Sequence, residues 1–562
     1  MAKMILLFER NLQKLIPSDI DYIFAYNEFV ISDYCGQAKI INYNKWESSE
    51  SEEPRKAIDK FFSNFNDEVQ IIKNTFYSNW LAPIYSLISQ LNIIIKENYI
   101  NELILVKGSE FVFSTFELAE CEGNPVVYQS SWLFNPVIEQ YYSGTDIHIT
   151  WKKCSKFSSM YKILNWCREH IIRIREIIAE FYRYKKTKNR TNQVCIKNGV
   201  NAVCFVNLQG QYNFIKAYLN NCLDIIPVII TPKAFDNECI VIKGILSPIK
   251  VINNLRISYH AVNKEFDEYL ILDNRRISIN KKTIRAALIT ELFIYYNAID
   301  KIVNTYAKIP YLNFTYMITC MSQGRSMVKY TEASKRIGLK HINYQYVSLG
   351  KRCFPIMRLA DEYYIYEEGS YTFYKNQSPI FHFYLPQLKK THISKEKMIV
   401  IYTQPDQYAE LYLRFIECVL HHTSNLNSKY KIIIKLHYRQ NRKDDFEKFK
   451  SFNNVNVVSD EYSIVELMDL STFCISMTSS VLSEATFYKV PAFIFVEDEG
   501  LLQYVIKSGI GYPEINYIVR SIDELIEKIQ SFDNIDYQNR YDTFLARVKE
   551  KNEEEVKSND ET

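Results

Sequence analysis

Short apolar runs alternate with amphipathic stretches along most of the 562-residue chain. Runs such as NELILVKGS, NAVCFVNLQ and KMIVIYTQPDQ each suit one buried strand, whereas AELYLRFIECVLHH has apolar side chains at the three- and four-residue spacing of a helix. Strands that alternate with helices of about ten or more residues indicate parallel βαβ units. The pattern therefore predicts an α/β protein.

The alternation falls into three blocks, and the chain is long enough for several domain cores. Residues 1–150 form an amino-terminal α/β region, residues 196–390 a second block, and residues 391–540 a third. Residues 541–562 form a charged tail rich in Glu and Lys.

Residues 151–195 join the first block to the second and are strongly basic. Between positions 151 and 190, twelve Lys or Arg accompany three Glu. Apolar residues recur in this segment at helical spacing: Ile163, Cys167, Ile171, Ile174, Ile178 and Phe181. The pattern predicts a basic amphipathic helix followed by a linker. Two roles stay open, a connector helix packed on a domain and a surface that rests on anionic lipid or a glycolipid head group.

The composition disfavours several classes of binding site. The chain has only 14 Gly and no G-x-G-x-x-G or P-loop string, which disfavours dinucleotide and P-loop sites. A net charge of +3 does not predict a nucleic-acid partner. The 12 cysteines include no C-x-x-C pair, which disfavours zinc knuckles and disulfide frameworks. With no apolar run of about twenty residues, the protein is expected on the cytoplasmic side.

The candidate binding residues lie where strands of the third block end. Ligands of open parallel sheets bind beyond the carboxyl ends of the strands. Gln404 follows one such strand, and the next, YKIIIKLHYRQ, ends in Lys435, His437 and Arg439. Positive charge and imidazole at a strand end favour a phosphate ligand.

Hydroxyl side chains follow a further strand of the same block. In MTSSVLSEA, Thr478, Ser479 and Ser480 stand where the strand gives way to a helix, a position that suits either a phosphate or a plain helix cap. Together with the basic strand end, they favour the phosphate. Glu484, one turn later, suits ribose hydroxyls or a helix surface equally well.

The succession from IIIKLHYRQ to MTSSVLSEATFYKVPAFIF resembles the donor-binding half of GT-B glycosyltransferases that build bacterial surface polysaccharides. Among these are sialyltransferases and polysialyltransferases, 3-deoxy-manno-octulosonate transferases and CDP-glycerol glycerophosphotransferases. They carry a K-x-H-P string at one strand end and a Ser-Ser or Ser-Thr pair before an E-A helix. His437, Ser479 and Ser480 match this pattern, whereas Tyr438 replaces the proline. The resemblance covers residues 310–530.

The resemblance implies a GT-B fold, in which two Rossmann-like lobes face a central cleft, here with an elaborated amino-terminal region. Residues 196–390 would be the acceptor-side lobe and residues 391–540 the nucleotide-sugar donor lobe. The bacterial sialyltransferases also carry a (D/E)-(D/E)-G string whose carboxylate is the catalytic base. Glu367 and Glu368, followed by Gly369, match it. A second triplet at residues 498–500 lies inside the donor block, so the first is preferred.

An inverting sugar transfer follows from these residues and the resemblance together. Glu368 or Glu367 would take the proton of the acceptor hydroxyl, and His437 would donate to the leaving phosphate. The serine hydroxyls and Arg439 would complete the anion site, so neither a metal nor another cofactor is expected. The string Asp19-Ile20-Asp21 is far upstream and is predicted to be a turn.

The expected donor is a nucleotide-sugar, with a nonulosonic acid such as sialic acid in its CMP form as the preferred case. The expected acceptor is a capsule or lipopolysaccharide glycan, or a glycolipid. Two alternatives stay open, a polyol-phosphate transferase of the CDP-glycerol type and a non-catalytic GT-B relative that binds glycan or acts as a scaffold. The expected location is the cytoplasm, and peripheral contact with the inner face of the cytoplasmic membrane through residues 151–190 stays open as one of the two roles of that segment.

Overall fold

A computed structural model describes most of the predicted strands and helices. The described residues are 2–7, 15–25, 36–42, 56, 60, 63, 82–107, 131–153, 170–171, 173–184, 201–206, 211–212, 214–215, 227–231, 239–242, 244–263, 269–272, 274–278, 281–309, 314–320, 325–345, 360–375, 381–385, 397–404, 409–422, 429–437, 440, 442–459, 461–477 and 479–560. Among them, no helix has the length and apolar character needed to cross a membrane.

The chain divides into two compact units, each assembled from separate stretches of sequence. The first unit comprises Met1–Gln193, Lys243–Lys308 and Cys353–Met357. The second unit comprises Val194–Ile242, Ile309–Arg352 and Arg358–Thr562.

The first unit contains a parallel sheet with the strand order β3-β2-β1-β4-β5. Its strands are β1 (Ala2–Leu7), β2 (Tyr22–Ala25), β3 (Lys39–Asn42), β4 (Ile100–Lys107) and β5 (His148–Lys153). Helix α1 (Ala82–Glu97) precedes β4, and α2 (Ser131–Tyr142) precedes β5. Alternate side chains of a strand point to the same face, which forms a core from Ile5, Leu7, Ile23, Ile104 and Val106.

Three further helices and a hairpin belong to the first unit. They are α3 (residues 173–184), α4 (Pro248–Ala261), β9 (Tyr269–Leu272), β10 (Arg275–Ser278) and α5 (Lys281–Tyr306), with β9 and β10 antiparallel. The side-chain amide of Asn254 in α4 donates to Asn297 Oδ1 at 3.0 Å and to Asp300 Oδ2 at 2.8 Å, both in α5. Because all three side chains are buried, these bonds fix how α4 and α5 pack.

The second unit contains two parallel sheets. The strands of the second sheet are β6 (Ala202–Phe205), β7 (Pro227–Thr231), β8 (Ile240–Val241), β11 (Tyr316–Thr319), β12 (Lys340–Tyr344), β13 (Glu362–Ile365) and β14 (Phe381–Phe383). Its order is β14-β13-β12-β11-β6-β7-β8. Helix α6 (Arg325–Ile337) connects β11 to β12, and α7 (Glu368–Lys375) connects β13 to β14.

The third sheet has the order β17-β16-β15-β18-β19-β20. Its strands are β15 (Met398–Tyr402), β16 (Lys431–Lys435), β17 (Val455–Val458), β18 (Phe473–Ser476), β19 (Ala492–Phe495) and β20 (Tyr517–Val519). Its helices are α8 (Ala409–His422), α9 (Lys443–Glu447), α10 (Ile464–Leu470), α11 (Val481–Phe487), α12 (Glu499–Ser508), α13 (Ile522–Gln530) and α14 (Asn534–Asp560).

In both sheets of the second unit, the strand that comes first in sequence lies inside the sheet, and later strands extend outward on both sides of it. This is the order of a doubly wound Rossmann-like sheet. Strand β15 in the middle of the third sheet is fully buried and almost wholly apolar, as expected where helices cover both faces of a sheet. The prediction of an α/β chain with two Rossmann-like lobes is confirmed.

The segment predicted as a charged tail, residues 541–562, is helical up to Asp560. Tyr537, Tyr541, Phe544 and Val548 of α14 are buried. Their spacing of three or four residues gives the helix one apolar face, which the many charged residues around it obscure in the sequence.

Candidate functional site

The strand order of the third sheet reverses between β15 and β18, the point at which doubly wound sheets bind ligands. Gln404 lies just after β15, His437 just after β16, and Ser479 and Ser480 just after β18. All four side chains are partly buried. Since the strands are parallel, these predicted residues come to one edge of the sheet.

The main chain of His437 is tied to the neighbouring strand. Its N–H donates to Thr403 Oγ1 at 3.0 Å, and its carbonyl accepts from the N–H of Gln440 at 2.9 Å. These two hydrogen bonds fix the position of the backbone from which the imidazole side chain extends. The predicted residues Arg439 and Thr478 lie outside the described residues.

Lys435 ends β16 but interacts with the outer neighbour of that strand. Its ammonium group donates to the carbonyl of Ser459, just after β17. Lys443 Nζ donates to the hydroxyl of the same serine at 2.6 Å. The structure therefore holds Lys435 on the β17 side of the edge and does not bring it to Ser479 and Ser480.

The two predicted serines are bound to their helix to different degrees. The Ser479 hydroxyl accepts from the N–H of Val481 at a long 3.4 Å. Ser480 is the residue before α11, and within the described part of the chain its side chain makes no capping hydrogen bond. The Ser480 hydroxyl can thus turn toward a ligand without loss of a helix cap.

A buried network behind these serines was not predicted from the sequence. Ser476, the last residue of β18, donates to the carbonyl of Tyr402 at 2.8 Å. The hydroxyl of Tyr412 in α8 lies 2.8 Å from Ser476 Oγ and accepts from the N–H of Met477 at 3.2 Å. The network locks the ends of β15 and β18 together. Its one sequence signal is a tyrosine on the apolar face of α8.

Glu484 lies in α11 with nine-tenths of its surface buried. Burial raises the pKa of its carboxyl to about 8, so the side chain holds its proton at neutral pH and can donate as well as accept a hydrogen bond. It lies close enough to Tyr402, and to Cys320 and Tyr366 of the second sheet, to contribute to their raised pKa values, although burial is the larger cause. Glu484 therefore lies near residues that follow strands of both sheets.

The predicted acidic pair follows β13 of the second sheet. Glu367 is fully buried, and its N–H and that of Tyr366 both donate to Gln345 Oε1, at 3.3 and 3.0 Å. Glu368 begins α7, is partly exposed, and pairs with Arg547 of α14 at 2.9 Å. The two carboxyl groups thus occupy different surroundings, one inside the protein and one at its surface.

Tyr366, the residue before this acidic pair, contacts residues that belong to the third sheet and its helices. Tyr512, after α12, donates its hydroxyl to the carbonyl of Tyr366. The ring of Tyr366 meets Phe487 of α11 edge-on, with centroids 5.1 Å apart. Burial, followed by the charge of Glu367, raises the pKa of both tyrosines. The structure therefore brings Glu367 and Glu484 to the same aromatic cluster from opposite sheets.

The alternative acidic triplet at residues 498–500 has a structural role. Asp498 caps α12, since its Oδ1 accepts from the N–H of Leu501 at 2.8 Å. Glu499 pairs with Arg520 at 3.3 Å. Within the described ranges, no three His, Cys, Asp or Glu side chains gather as metal ligands would. Asp19 of the upstream D-x-D string pairs with Lys3.

No family model and no curated protein matches the sequence. Several solved structures are similar over most of their own length. A glycosyltransferase from Rickettsia africae is 11% identical, with a TM-score of 0.35, and the match covers 65% of this chain and 98% of that one. The wall teichoic acid polymerase TagF, solved with CDPG, is 12% identical, with a TM-score of 0.34 and coverage of 71% and 98%. The UDP-GlcNAc 2-epimerase of Neisseria meningitidis, bound to UDP-GlcNAc, is 11% identical, with a TM-score of 0.36 and coverage of 61% and 93%.

Proposed function

We propose that the chain is an inverting, metal-independent glycosyltransferase of the GT-B type. One observation carries the proposal. An imidazole and two serine hydroxyls share the switch-point edge of one Rossmann-like sheet, and Tyr366, the residue before the acidic pair, contacts Phe487 of the helix that follows those serines. The imidazole and the serine hydroxyls are groups that can stabilise a leaving phosphate. A carboxylate is a group that can take the proton of an acceptor hydroxyl.

The reaction that fits this arrangement is a single displacement. The acceptor oxygen bonds to the anomeric carbon of the donor while the bond from that carbon to the phosphate oxygen breaks. Glu368, or Glu367, takes the proton of the acceptor hydroxyl. The phosphate leaves on the nucleotide with the bonding electron pair, and His437 donates to it.

The two carboxyl groups suit different parts of this scheme. Glu368 is partly exposed, which makes it the preferred base, and an acceptor hydroxyl would take the place of its ion pair with Arg547. Glu367 is fully buried, and it would need a local rearrangement before it met an acceptor.

The remaining donor contacts are assigned by position. Ser479, Ser480 and Thr478 would hold the phosphates with Arg439. Gln404 and Glu484 would bind the sugar or ribose hydroxyls. The position of Lys435 beside β17 suits a more distant part of the nucleotide or a charge that acts through space.

The proposed donor is a CMP-linked nonulosonic acid such as sialic acid, and the proposed acceptor is a capsule or lipopolysaccharide glycan. The site would work at the inner face of the cytoplasmic membrane, with peripheral contact through residues 151–190. Transfer of a polyol phosphate from a CDP-linked donor is the second candidate, because the same imidazole and hydroxyls would bind a diphosphate. A non-catalytic glycan-binding role is the third.

Replacement of His437 by Ala tests the proposal. Transfer to a glycan acceptor should fall by at least about a hundredfold, the usual loss with one acid–base or electrostatic group, while the circular dichroism spectrum stays unchanged. Full transfer by the variant would contradict the mechanism, and glycan binding without transfer in the parent would favour the non-catalytic role.

Thermal shifts with CMP, CDP, UDP and GDP identify the donor class. Selective stabilisation by CMP supports the proposed donor, whereas CDP selectivity favours polyol-phosphate transfer. Selectivity for UDP or GDP would overturn the choice of donor.

A further inference from the structure

Helices α3 and α4 of the first unit expose apolar side chains along their outward faces. In α3, Ile174 is 55% exposed and Ile178 is 63% exposed. In α4, Ile249 is 73% exposed and Ile252 is 54% exposed. Other apolar or aromatic side chains of the two helices are also exposed: Phe181, Tyr182, Ile257 and Tyr259. Clusters of exposed apolar side chains mark surfaces that bind something.

Two charged side chains of α3 are turned into the protein. Glu180 is buried, and it pairs with Arg183 and with Lys301 of α5, the latter at 2.5 Å. Arg173 is also buried, and its guanidinium group donates to the hydroxyl of Tyr259 in α4 at 2.6 Å. Ile177 lies on the same inward side and packs against Leu246, Val251 and Phe293, so this side of α3 combines charged and apolar groups. The Arg173–Tyr259 contact also joins α3 to α4.

The charges at this surface are positive. Helix α4 contains Arg256 and Lys250 but no acidic residue, although Lys250 pairs with Asp300 of α5 at 3.4 Å. In α3, Glu176 is only partly exposed and, like Glu180, pairs with Lys301, while Arg175 is exposed on the outward side. The surface therefore combines exposed isoleucines with cations, the combination found in helices that lie in a membrane interface.

We propose that the outward faces of α3 and α4 form one surface that docks on an anionic lipid bilayer. The isoleucines enter the head-group region, and Arg175 and Arg256 contact lipid phosphates. The inference adds a second helix to the membrane contact proposed for residues 151–190, and it does not depend on the transfer reaction. A second copy of the chain fits less well, because a two-fold interface would bring like charges together.

Flotation with vesicles tests the surface. The parent chain should float with vesicles that contain phosphatidylglycerol and much less with pure phosphatidylcholine. Ile249→Asp and Ile178→Asp should each reduce binding on the order of tenfold, since a charge replaces an inserted apolar group. Ile535→Asp in α14 is the matched control, because Ile535 is 72% exposed but belongs to the second unit. It should bind like the parent.

Two further measurements separate the alternatives. Fluorescence of an Ile252→Trp variant should be quenched by brominated lipid, which requires insertion rather than electrostatic contact alone. Sugar transfer to a soluble acceptor should be unchanged in Ile249→Asp. A loss of membrane binding can therefore be distinguished from a loss of the transfer reaction. The proposal would be overturned if the parent chain did not float with the vesicles, or if Ile249→Asp and Ile535→Asp lost equal amounts of vesicle binding. It would also be overturned if light scattering showed a dimer that Ile249→Asp abolishes.

Discussion

At the scale of single residues, the buried carboxyl of Glu484 has the clearest consequence. Its pKa of about 8 in the folded chain exceeds the ordinary value of 4.5 because burial disfavours the charged form. The folded protein therefore keeps a proton that the unfolded chain has lost between these pH values. The contribution of Glu484 to the free energy of unfolding is therefore most favourable below the ordinary pKa and becomes less favourable as the pH rises to about 8.

Glu484→Gln should remove most of this pH dependence, since glutamine has the same shape and no charge. The loss in the parent between about pH 5 and about pH 9 is at most about 5 kcal/mol. Urea unfolding of both proteins at the two pH values measures it. Glu527 lies on the exposed side of α13 and provides the control. Glu527→Gln should show the same difference in the free energy of unfolding between the two pH values as the parent. If the free energy of unfolding changed equally with pH in Glu484→Gln and in the parent, the raised pKa would not belong to Glu484.

The hydroxyl of Tyr512 gives a second prediction. Tyr512→Phe leaves the carbonyl of Tyr366 without its donor and should reduce the free energy of unfolding by about 1–3 kcal/mol. Tyr541 is the matched control, because it is as deeply buried but its hydroxyl has no hydrogen-bond partner among the described residues. Tyr541→Phe should cost close to nothing in urea unfolding. Equal losses in the two variants would show that the Tyr512–Tyr366 bond does not stabilise the fold.

At the scale of elements, the network at the ends of β15 and β18 couples strand packing to the candidate site. Tyr412→Phe removes the hydroxyl that accepts from Met477 and meets Ser476. It should weaken nucleotide binding more than tenfold, because the residues before Ser479 lose their anchor, while the helix content stays unchanged. Isothermal titration with the nucleotide selected by the thermal-shift panel measures the effect. Unchanged affinity with lowered stability would restrict Tyr412 to a packing role.

The helices and strands also show which parts of the fold can be predicted from the sequence. Apolar runs located strands such as β6, β15 and β16, because a parallel sheet covered on both faces favours continuous apolar sequence. Periodicity likewise located α3, but it could not tell which face points inward. The burial of Arg173 and Glu180 depends on Tyr259 and Lys301, which are about eighty or more residues away in sequence, and one local pattern contains no information about such partners.

The same limit applies to the candidate site. Strand ends predicted that Gln404, His437, Ser479 and Ser480 would share an edge, because parallel strands end on the same side of a sheet. The pairing of Glu368 with Arg547 joins α7 to the carboxyl-terminal helix. Nothing around either residue in the sequence predicts that contact, since it depends on the packing of two lobes.

At the scale of the whole molecule, the two units can be observed separately because of where the tryptophans lie. All five are in the first unit: Trp46, Trp80, Trp132, Trp151 and Trp166. Tryptophan fluorescence therefore reports the unfolding of the first unit, whereas far-ultraviolet circular dichroism reports both. The candidate nucleotide site belongs wholly to the second unit.

A nucleotide that binds the second unit should therefore shift only one of these signals. At a hundred times its dissociation constant, it adds about 2.7 kcal/mol to the stability of the unit that binds it. The dichroism transition of the second unit should move to higher temperature while the fluorescence transition stays in place. His437→Ala should abolish the shift without any change in the fluorescence transition. A shift of the fluorescence transition alone would locate the nucleotide in the first unit, and equal shifts would show that the two units unfold as one cooperative body.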